Sequence, residues 1–240
     1  MVVCLGVLAC AACSGGDDEG AAASTSAEEA DAGATEATSI STTTPSVAGS
    51  LSPLGDVPCP ENRHAMVIDM RILVVEEGEL YRWFEDAAYD PLVRAGTLEL
   101  VTAYVERGYE IVYLTGWDAT TMLGMTTPVT EVVPSWMAEH GFPVGAGTSL
   151  HMWRPDEFDS EDVFKTQVLI DLRSQGVQVD RVYTHDAEDV RAYVSGGVDA
   201  GRIQTFGQAA DVEGTDPIPN GDLVAHRLET IDRQAPICAV

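Results

Sequence analysis

The chain has very few basic residues. Its 240 residues include 13 lysines and arginines against 39 aspartates and glutamates, so the formal net charge is −26. Lys165 is the only lysine in the sequence. A field of this sign repels nucleic acids and anionic membrane surfaces. We therefore expect no nucleic-acid partner, and an anionic ligand needs a local positive patch or a metal ion.

Long apolar runs are also missing. Residues 1–12 are apolar but too few to span a bilayer. Small residues precede Cys13 and a Ser/Gly/Asp run follows it, which is typical of a lipoprotein signal peptide with Cys13 as the lipidated residue. We predict a signal peptide over 1–13 and a lipid anchor in a bacterial membrane, on the periplasmic or outer surface. Lipidation at Cys10 and a cleaved secretory signal are the alternatives.

Residues 14–58 contain no Lys or Arg and eight acids, and residues 14–52 contain no aromatic side chain. This composition predicts a disordered acidic tether over 14–58. The remaining residues, 59–240, are enough for one well-buried domain. Cys59 and Cys238 bracket it, which in an exported protein predicts one disulfide between them. Two free thiols are the alternative.

Apolar runs alternate with amphipathic helical patterns along the domain. The predicted strands are 65–68, 110–114, 179–184 and 202–206, and the predicted helices are 98–107, 129–140, 161–174 and 187–195. Strands that alternate with helices predict an α/β fold, with a parallel sheet and helices on both faces. Ligands of such folds bind beyond the carboxyl ends of the strands.

Polar residues stand where those predicted strands end. Asp69 ends the first strand and Thr115-Gly116 ends the second. The third strand runs into an acidic loop that contains Asp186 and Asp189. A predicted helix carries Lys165 near its start. The sequence therefore predicts that an acid, a hydroxyl, an ammonium group and an acidic loop meet at one edge of the sheet.

This order of groups resembles the haloacid-dehalogenase superfamily and implies its HAD-like Rossmannoid fold. The resemblance implies that Thr115, Gly116 and Lys165 bind the oxygens of a phosphoryl group. The implied ligands of Mg²⁺, which requires oxygen atoms in octahedral geometry, are Asp69, Asp186 and Asp189.

A narrower resemblance spans residues 65–231. Its sequence blocks are DPLVRAG at 90–96, GYEIVYLTG at 108–116, HGFP at 140–143, EDVRAY at 188–193 and NGDLVAH at 220–226. The chain resembles the lipin-type (Lipin/Ned/Smp) domain, above all the copy that ends the membrane-associated phosphatidylinositol transfer proteins. In lipins this domain is a Mg²⁺-dependent phosphatidate phosphatase; in the transfer proteins it has lost a catalytic Asp and recognises phosphatidic acid.

The chain departs from the family at its first strand, where phosphatases carry Asp-x-Asp. If Asp69 is the nucleophile, the acid/base position holds Arg71. If Asp69 is the acid/base, Val67 replaces the nucleophile. Either register breaks a two-acid mechanism, which lowers the rate by orders of magnitude. Arg71 either binds an anion in place of the metal or only neutralises a buried acid.

Further residues have weaker interpretations. His185 replaces an acid or amide of the family's loop and is a poorer ligand for Mg²⁺, so we expect a hydrogen-bonded loop or core histidine. Asp118 and Asp186 are the candidates for a replacement of the missing acid. A group of acids predicts a solvated face; its members are Glu76, Glu77, Glu79, Glu85 and Asp86. Core packing is expected for the aromatic side chains of Trp83, Phe84, Trp117, Trp136 and Trp153, with an acyl-chain groove as the alternative.

Together these observations predict an exported lipoprotein with a catalytically degenerate phosphatase-fold domain. It binds a phosphate-bearing small molecule or a phospholipid head group, for which phosphatidate is a candidate, with Mg²⁺ as an optional cofactor. One alternative is an active Mg²⁺-dependent phosphatase acting on phosphatidate or a phosphomonoester. The other is a surface lipoprotein with a structural or interaction role.

Overall fold

The computed structural model of the protein describes residues 63–75 and 77–237. Cys13, Cys59 and Cys238 lie outside these residues, as do the segments 1–13 and 14–58. The lipoprotein signal, the tether and the disulfide therefore stay predictions. No helix within the described ranges is long and apolar enough to cross a bilayer.

Six parallel strands form the central sheet. They are β1 (Arg63–Asp69), β2 (Glu110–Asp118), β5 (Thr148–Trp153), β6 (Val177–Thr184), β7 (Ile203–Thr205) and β8 (Asp216–Pro217). Their order in the sheet is β5-β2-β1-β6-β7-β8, and every neighbouring pair is parallel. A short antiparallel pair, β3 (Met122–Leu123) and β4 (Thr127–Pro128), lies outside this sheet.

Helices cover both faces of the sheet. They are α1 (Glu77–Glu85), α2 (Thr97–Glu106), α3 (Val129–Glu139), α4 (Glu161–Ser174), α5 (Ala187–Ser195) and α6 (Leu223–His226). One apolar cluster joins α1, α2, α3 and α6 to the sheet, and a second cluster joins α4 and α5 to its other face. The predicted α/β fold, a parallel sheet between two layers of helices, is confirmed.

β1 is the centre of this arrangement. Met66 and Ile68 belong to the first apolar cluster, whereas Ala65 and Val67 belong to the second. A central parallel strand is buried on both faces, so its sequence is an unbroken apolar run. The chain moves from β1 to β2 and β5 on one side and returns to β6 on the other. This reversal of strand order opens a crevice at the carboxyl end of β1, where Asp69 stands.

The eight helices and strands that the sequence pattern predicts are all present, with ends shifted by a few residues. The pattern did not predict α1 or β5. The solvated face expected around α1 is wrong for Glu79. Its residue is 8% exposed, and its carboxylate accepts hydrogen bonds from Tyr89 Oη at 2.6 Å and Leu92 N at 3.1 Å.

Candidate functional site

Asp69 is the last residue of β1 and is fully buried. Its carboxylate caps a single 3-10 turn, Met70–Ile72, by accepting a hydrogen bond from Arg71 N at 2.8 Å. This tight turn brings the Arg71 side chain back over the end of the strand. Arg71 Nη2 then lies 3.2 Å from Asp69 Oδ2. Arg71, two residues after Asp69, is therefore an ion-pair partner of that acid.

Lys165 contacts the carboxylate of Asp69 from α4, a helix that packs on one face of the sheet. It lies in the second turn of α4, between Phe164 and Val168 of the apolar cluster, and is fully buried. Its Nζ lies 3.3 Å from Asp69 Oδ2 and 2.5 Å from Asp189 Oδ1. A buried ammonium group needs such partners because its desolvation is costly.

The start of α5 supplies two more acids. Asp186 caps this helix, because its Oδ1 accepts a hydrogen bond from Glu188 N at 2.8 Å. Its Oδ2 lies 3.3 Å from Arg71 Nη1. Asp189 is buried one turn further on, where its Oδ2 accepts hydrogen bonds from Arg71 Nη2 at 3.0 Å and Thr184 Oγ1 at 3.1 Å.

Glu161, the first residue of α4, completes the group. Its Oε1 lies 2.5 Å from Lys165 Nζ and 3.7 Å from Arg71 Nη2. Six side chains thus form one network, called the charged centre below. They are Asp69, Arg71, Glu161, Lys165, Asp186 and Asp189. The two cations contact four carboxyl groups, so each cation is shared among several acids.

The ionisation of the charged centre follows from burial and these contacts. Burial disfavours the charged form of Asp69, but Lys165 and Arg71 outweigh it and hold the pKa of that carboxyl well below its usual range. Burial and the nearby Asp69 raise the pKa of Asp189 to about 8. Burial opposes the charge of Lys165, yet the surrounding carboxylates raise the pKa of its ammonium group above the ordinary value. Both cations therefore stay charged at neutral pH.

The three predicted magnesium ligands, Asp69, Asp186 and Asp189, do come together. Their oxygens surround the guanidinium group of Arg71, which contacts all three. Among the residues that the structure describes, no group of three or more His, Cys, Asp or Glu side chains is arranged to hold a metal ion. Mg²⁺ requires an octahedron of oxygens at about 2.1 Å. In this arrangement the acids fit the planar cation and do not fit Mg²⁺.

Thr115 and Gly116 lie beside this network on β2. Thr115 is buried, and its Oγ1 accepts a hydrogen bond from Trp117 N at 3.2 Å. A Cβ atom placed on Gly116 would overlap the carboxylate of Glu161. Glu161 therefore packs directly against the bare backbone of Gly116, which lets its carboxylate sit between the strand end and the two cations.

A small cavity of about 140 Å³ opens at this point. Arg71, Gly116 and Glu161 form its polar side. Its apolar side consists of Leu80, Tyr81, Phe84 and Trp117. A water molecule takes up about 30 Å³ of liquid, so the volume suits a group the size of one phosphate. A larger cavity of about 670 Å³ lies at the opposite end of the sheet, and no member of the charged centre lines it.

Other predicted residues lie elsewhere. Val67 is buried in the apolar cluster beneath α4 and α5. Asp118 Oδ1 accepts hydrogen bonds from the N and Oγ1 of Thr120, both at 2.7 Å, in the turn after β2. His185 is half-buried, and its Nδ1 has no hydrogen-bond partner within the described part of the chain, unlike the hydrogen-bonded histidine that we expected. Trp83 and Trp136 are core residues, as the sequence predicts.

The sequence pattern did not single out Glu161. Its signal is the spacing to Lys165, because a Glu four residues before a Lys on a helix favours an ion pair. That spacing is common on solvated helices. The sequence does not reveal that this pair lies against Gly116 and next to Arg71.

A parallel sheet with an acid at the end of its central strand, a buried lysine and an acidic loop defines a phosphatase-type domain of the haloacid-dehalogenase class. The family model described as "PITM 1-3, LNS2 domain" matches residues 77–207, which is more than half of the chain. The chain belongs to this family, the lipin-like domain of the PITM proteins. The matched range contains Thr115, Lys165 and Asp189 but begins after Arg71.

The chain is also similar to two solved structures. The D,D-heptose 1,7-bisphosphate phosphatase from B. bronchiseptica, complexed with magnesium and phosphate, shares 12% identity at a TM-score of 0.48; the match covers 70% of this chain and 98% of that one. For the enzyme of the same name from Burkholderia thailandensis the identity is 13%, the TM-score 0.41 and the coverage 70% and 99%. No curated protein matches the chain.

Proposed function

We propose that this domain binds a phosphate-bearing ligand at the charged centre and does not hydrolyse it. The contact of Arg71 with Asp69, Asp186 and Asp189 carries the proposal. In a magnesium-dependent phosphatase a metal ion among such acids supplies the positive charge that holds the phosphoryl group. Here the chain supplies that charge itself, with a guanidinium group at the same place.

The cations of the charged centre suit a phosphate. A guanidinium group is planar, stays protonated and forms paired hydrogen bonds to phosphate oxygens, and an ammonium group adds a point charge. Arg71 is 19% exposed at its side chain, so it reaches the cavity, whereas Lys165 lies beneath it. The space beside the backbone of Gly116 already holds the carboxylate of Glu161, so this position accommodates an oxyanion next to both cations. These features support binding without a metal ion.

The same geometry opposes turnover. We infer the register in which Asp69 is the nucleophile position, because Val67 lies inside the apolar core. Arg71 then stands at the acid/base position. Burial opposes the charge of Arg71, but its neighbouring acids outweigh this and raise the pKa of its guanidinium group above an already high value, so it neither gives up nor takes a proton near neutral pH. Loss of a general acid/base lowers a rate by about 10²–10⁴-fold.

Neither candidate replacement acid favours turnover. Asp118 is bonded within its own turn. Asp186 caps α5 and pairs with Arg71, so its carboxylate is committed to structure and to the cation. Both observations support a binding domain over a hydrolase.

The walls of the cavity favour a lipid phosphate over a free one. Leu80, Tyr81, Phe84 and Trp117 face the space above Arg71, and Tyr81 is 63% exposed. An apolar wall beside a charged point matches the glycerol and acyl part of a phospholipid next to its phosphate. A monoester such as phosphatidate presents more free oxygens to Arg71 than a phosphodiester does.

The test is isothermal titration calorimetry on the full chain with soluble short-chain lipids. Dihexanoyl phosphatidate and inorganic phosphate are expected to bind, the lipid more tightly, whereas dihexanoyl phosphatidylcholine is not. Arg71→Gln should abolish binding, and the matched control Arg63→Gln, at the other end of β1, should not change it.

Three results oppose the proposal. Magnesium-dependent release of phosphate that Asp69→Asn abolishes would establish a phosphatase instead. Binding of no phosphate compound would leave a structural or interaction role. Equal binding to wild type and Arg71→Gln would place the ligand elsewhere.

A further inference from the structure

The position of Glu161 is unlike that of the other acids in the charged centre. Asp69 and Asp189 are buried; the side chains of Asp186 and Glu161 are 29% and 36% exposed, and Asp186 caps α5. Its carboxylate lines the cavity and contacts both cations, with Oε1 2.5 Å from Lys165 Nζ and 3.7 Å from Arg71 Nη2. Of the four acids in the charged centre, it is the one that lines the cavity.

The backbone of Gly116 forms the other wall of this position. A Cβ atom there would overlap Glu161 Cδ and both carboxylate oxygens. The space beside Gly116 is thus filled by an oxyanion that belongs to the chain. A carboxylate and one face of a phosphate both present negatively charged oxygens to cations in the same way. The position that Glu161 fills thus has the contacts that an oxyanion needs, with Arg71, Lys165 and the backbone of Gly116 around it.

We infer that Glu161 is an internal ligand that competes with the phosphate-bearing ligand for Arg71, Lys165 and the space beside Gly116. This inference rests on the proposed function, and it adds how the affinity of the site is set. The ligand binds by exchange, because the carboxylate of Glu161 and a ligand oxyanion cannot both fill the space beside Gly116. The side chain of Glu161 moves outward when the ligand enters.

The exchange has a quantitative consequence. The ligand binds only to the state of the protein in which the side chain of Glu161 has moved outward. When this state is a fraction of the population, the apparent affinity for the ligand is multiplied by that fraction. The factor depends on Glu161 and not on the incoming anion. Glu161 therefore weakens every anion equally and leaves the order of preference among anions unchanged.

An ordinary helix-surface pair does not account for this arrangement. A Glu and a Lys four residues apart stabilise a helix by only a few tenths of a kcal/mol in water, with both side chains solvated. Here Lys165 is fully buried and the pair reaches a second cation, Arg71. The neighbouring acid Asp162 lies in the same first turn of α4, but its side chain is exposed to solvent, as is usual for an acid on a helix surface.

The test compares Glu161→Gln with the matched control Asp162→Asn. Each removes one negative charge from the first turn of α4, and only the first removes the internal ligand. Calorimetric titration of the full chain with methyl phosphate should show about tenfold tighter binding for Glu161→Gln and no change for Asp162→Asn. Dimethyl phosphate should gain by the same factor. Glu161→Ala should bind methyl phosphate as tightly as Glu161→Gln. Because the two variants remove the carboxylate in different ways, a folding defect in one of them leaves the other to test the inference.

The outcomes separate this inference from the proposed function. Binding to wild type with the same affinity in Glu161→Gln and Glu161→Ala overturns the competition and leaves the binding site intact. Weaker binding in both variants also overturns it, because Glu161 would then help to hold the ligand. Binding to the variants alone supports it. Failure of methyl phosphate to bind any of these proteins overturns both proposals.

Discussion

The two ends of β1 hold their charges in opposite ways. At its start, Arg63 Nε lies 2.6 Å from Glu110 Oε1, and His64 Nδ1 lies 2.6 Å from Asp180 Oδ2. Asp180 also contacts Arg202, whose Nη1 lies 3.3 Å from its Oδ1, and all of these side chains reach solvent. At its end, Asp69 belongs to the charged centre, in which two cations are shared among four buried or half-buried carboxyl groups.

This difference separates structural pairs from a site. A solvated pair contributes little to stability, and its loss affects only its two members. A buried network has a large desolvation cost, and an apolar replacement of similar volume is often as stable. Stability alone therefore gives little reason for the charged centre, whereas the binding of an anion does. Because its members share partners, removal of one changes the charge balance of all the others.

The largest effect is expected from Lys165→Met. Methionine fills a similar volume but leaves Asp69 and Asp189 without the buried ammonium group that lies 3.3 Å and 2.5 Å from them. Breaking a buried pair by removing one partner costs about 3–5 kcal/mol. Urea unfolding of the full chain should show a loss of this size. A loss below about 1 kcal/mol would mean that the charged centre contributes no more to stability than the solvated ion pairs at the start of β1.

A second prediction concerns Arg71→Asp, which removes the guanidinium group and adds the missing acid. The carboxylates should then accept Mg²⁺, so millimolar Mg²⁺ should raise the thermal midpoint of this variant by a few degrees and leave wild type unchanged. For a domain of this size about 2–4 °C corresponds to 1 kcal/mol. The control Arg71→Met removes the cation without adding an acid. An equal rise in wild type would show that Arg71 does not exclude the metal ion.

The smallest effect is expected from Arg63→Gln at the start of β1. The side chain of Arg63 is 40% exposed, so water replaces most of what Glu110 supplies. The free energy of unfolding should fall by less than about 1 kcal/mol, and the loss should shrink further in 0.5 M salt. A loss as large as that of Lys165→Met would remove the contrast between the two ends.

Much of the fold follows from patterns within short stretches of sequence. β1 and β2 each contain an unbroken apolar run, at 65–68 and 111–114, and α4 follows a good cap, Ser160, whose hydroxyl accepts a hydrogen bond from Val163 N at 3.3 Å. β5 was missed because its sequence, Thr148–Trp153, mixes polar and apolar residues, as an edge strand allows. α1 was missed because its acids suggested a solvated surface, although Glu79 is buried with Tyr89.

The sequence singled out five of the six residues of the charged centre, all except Glu161, but it did not predict the contacts between them. Strand ends placed Asp69 and Thr115 at one edge of the sheet, and the order of motifs added Lys165 and Asp189. The sequence left open whether Arg71 holds an anion or neutralises an acid. The structure shows its guanidinium group among three carboxylates, an arrangement that depends on contacts up to 118 positions apart in the chain. Such distant contacts leave no local pattern, and neither does the contact of Glu161 with Gly116.

The most direct test of the central claim is the binding of methyl phosphate with and without a metal ion. Calorimetric titrations of the full chain are run in EDTA and in 5 mM Mg²⁺, and ³¹P NMR follows the ligand afterwards. We predict the same affinity in both buffers and intact methyl phosphate, because Arg71 and Lys165 supply the charge. Binding that requires Mg²⁺, or release of inorganic phosphate, would contradict the account.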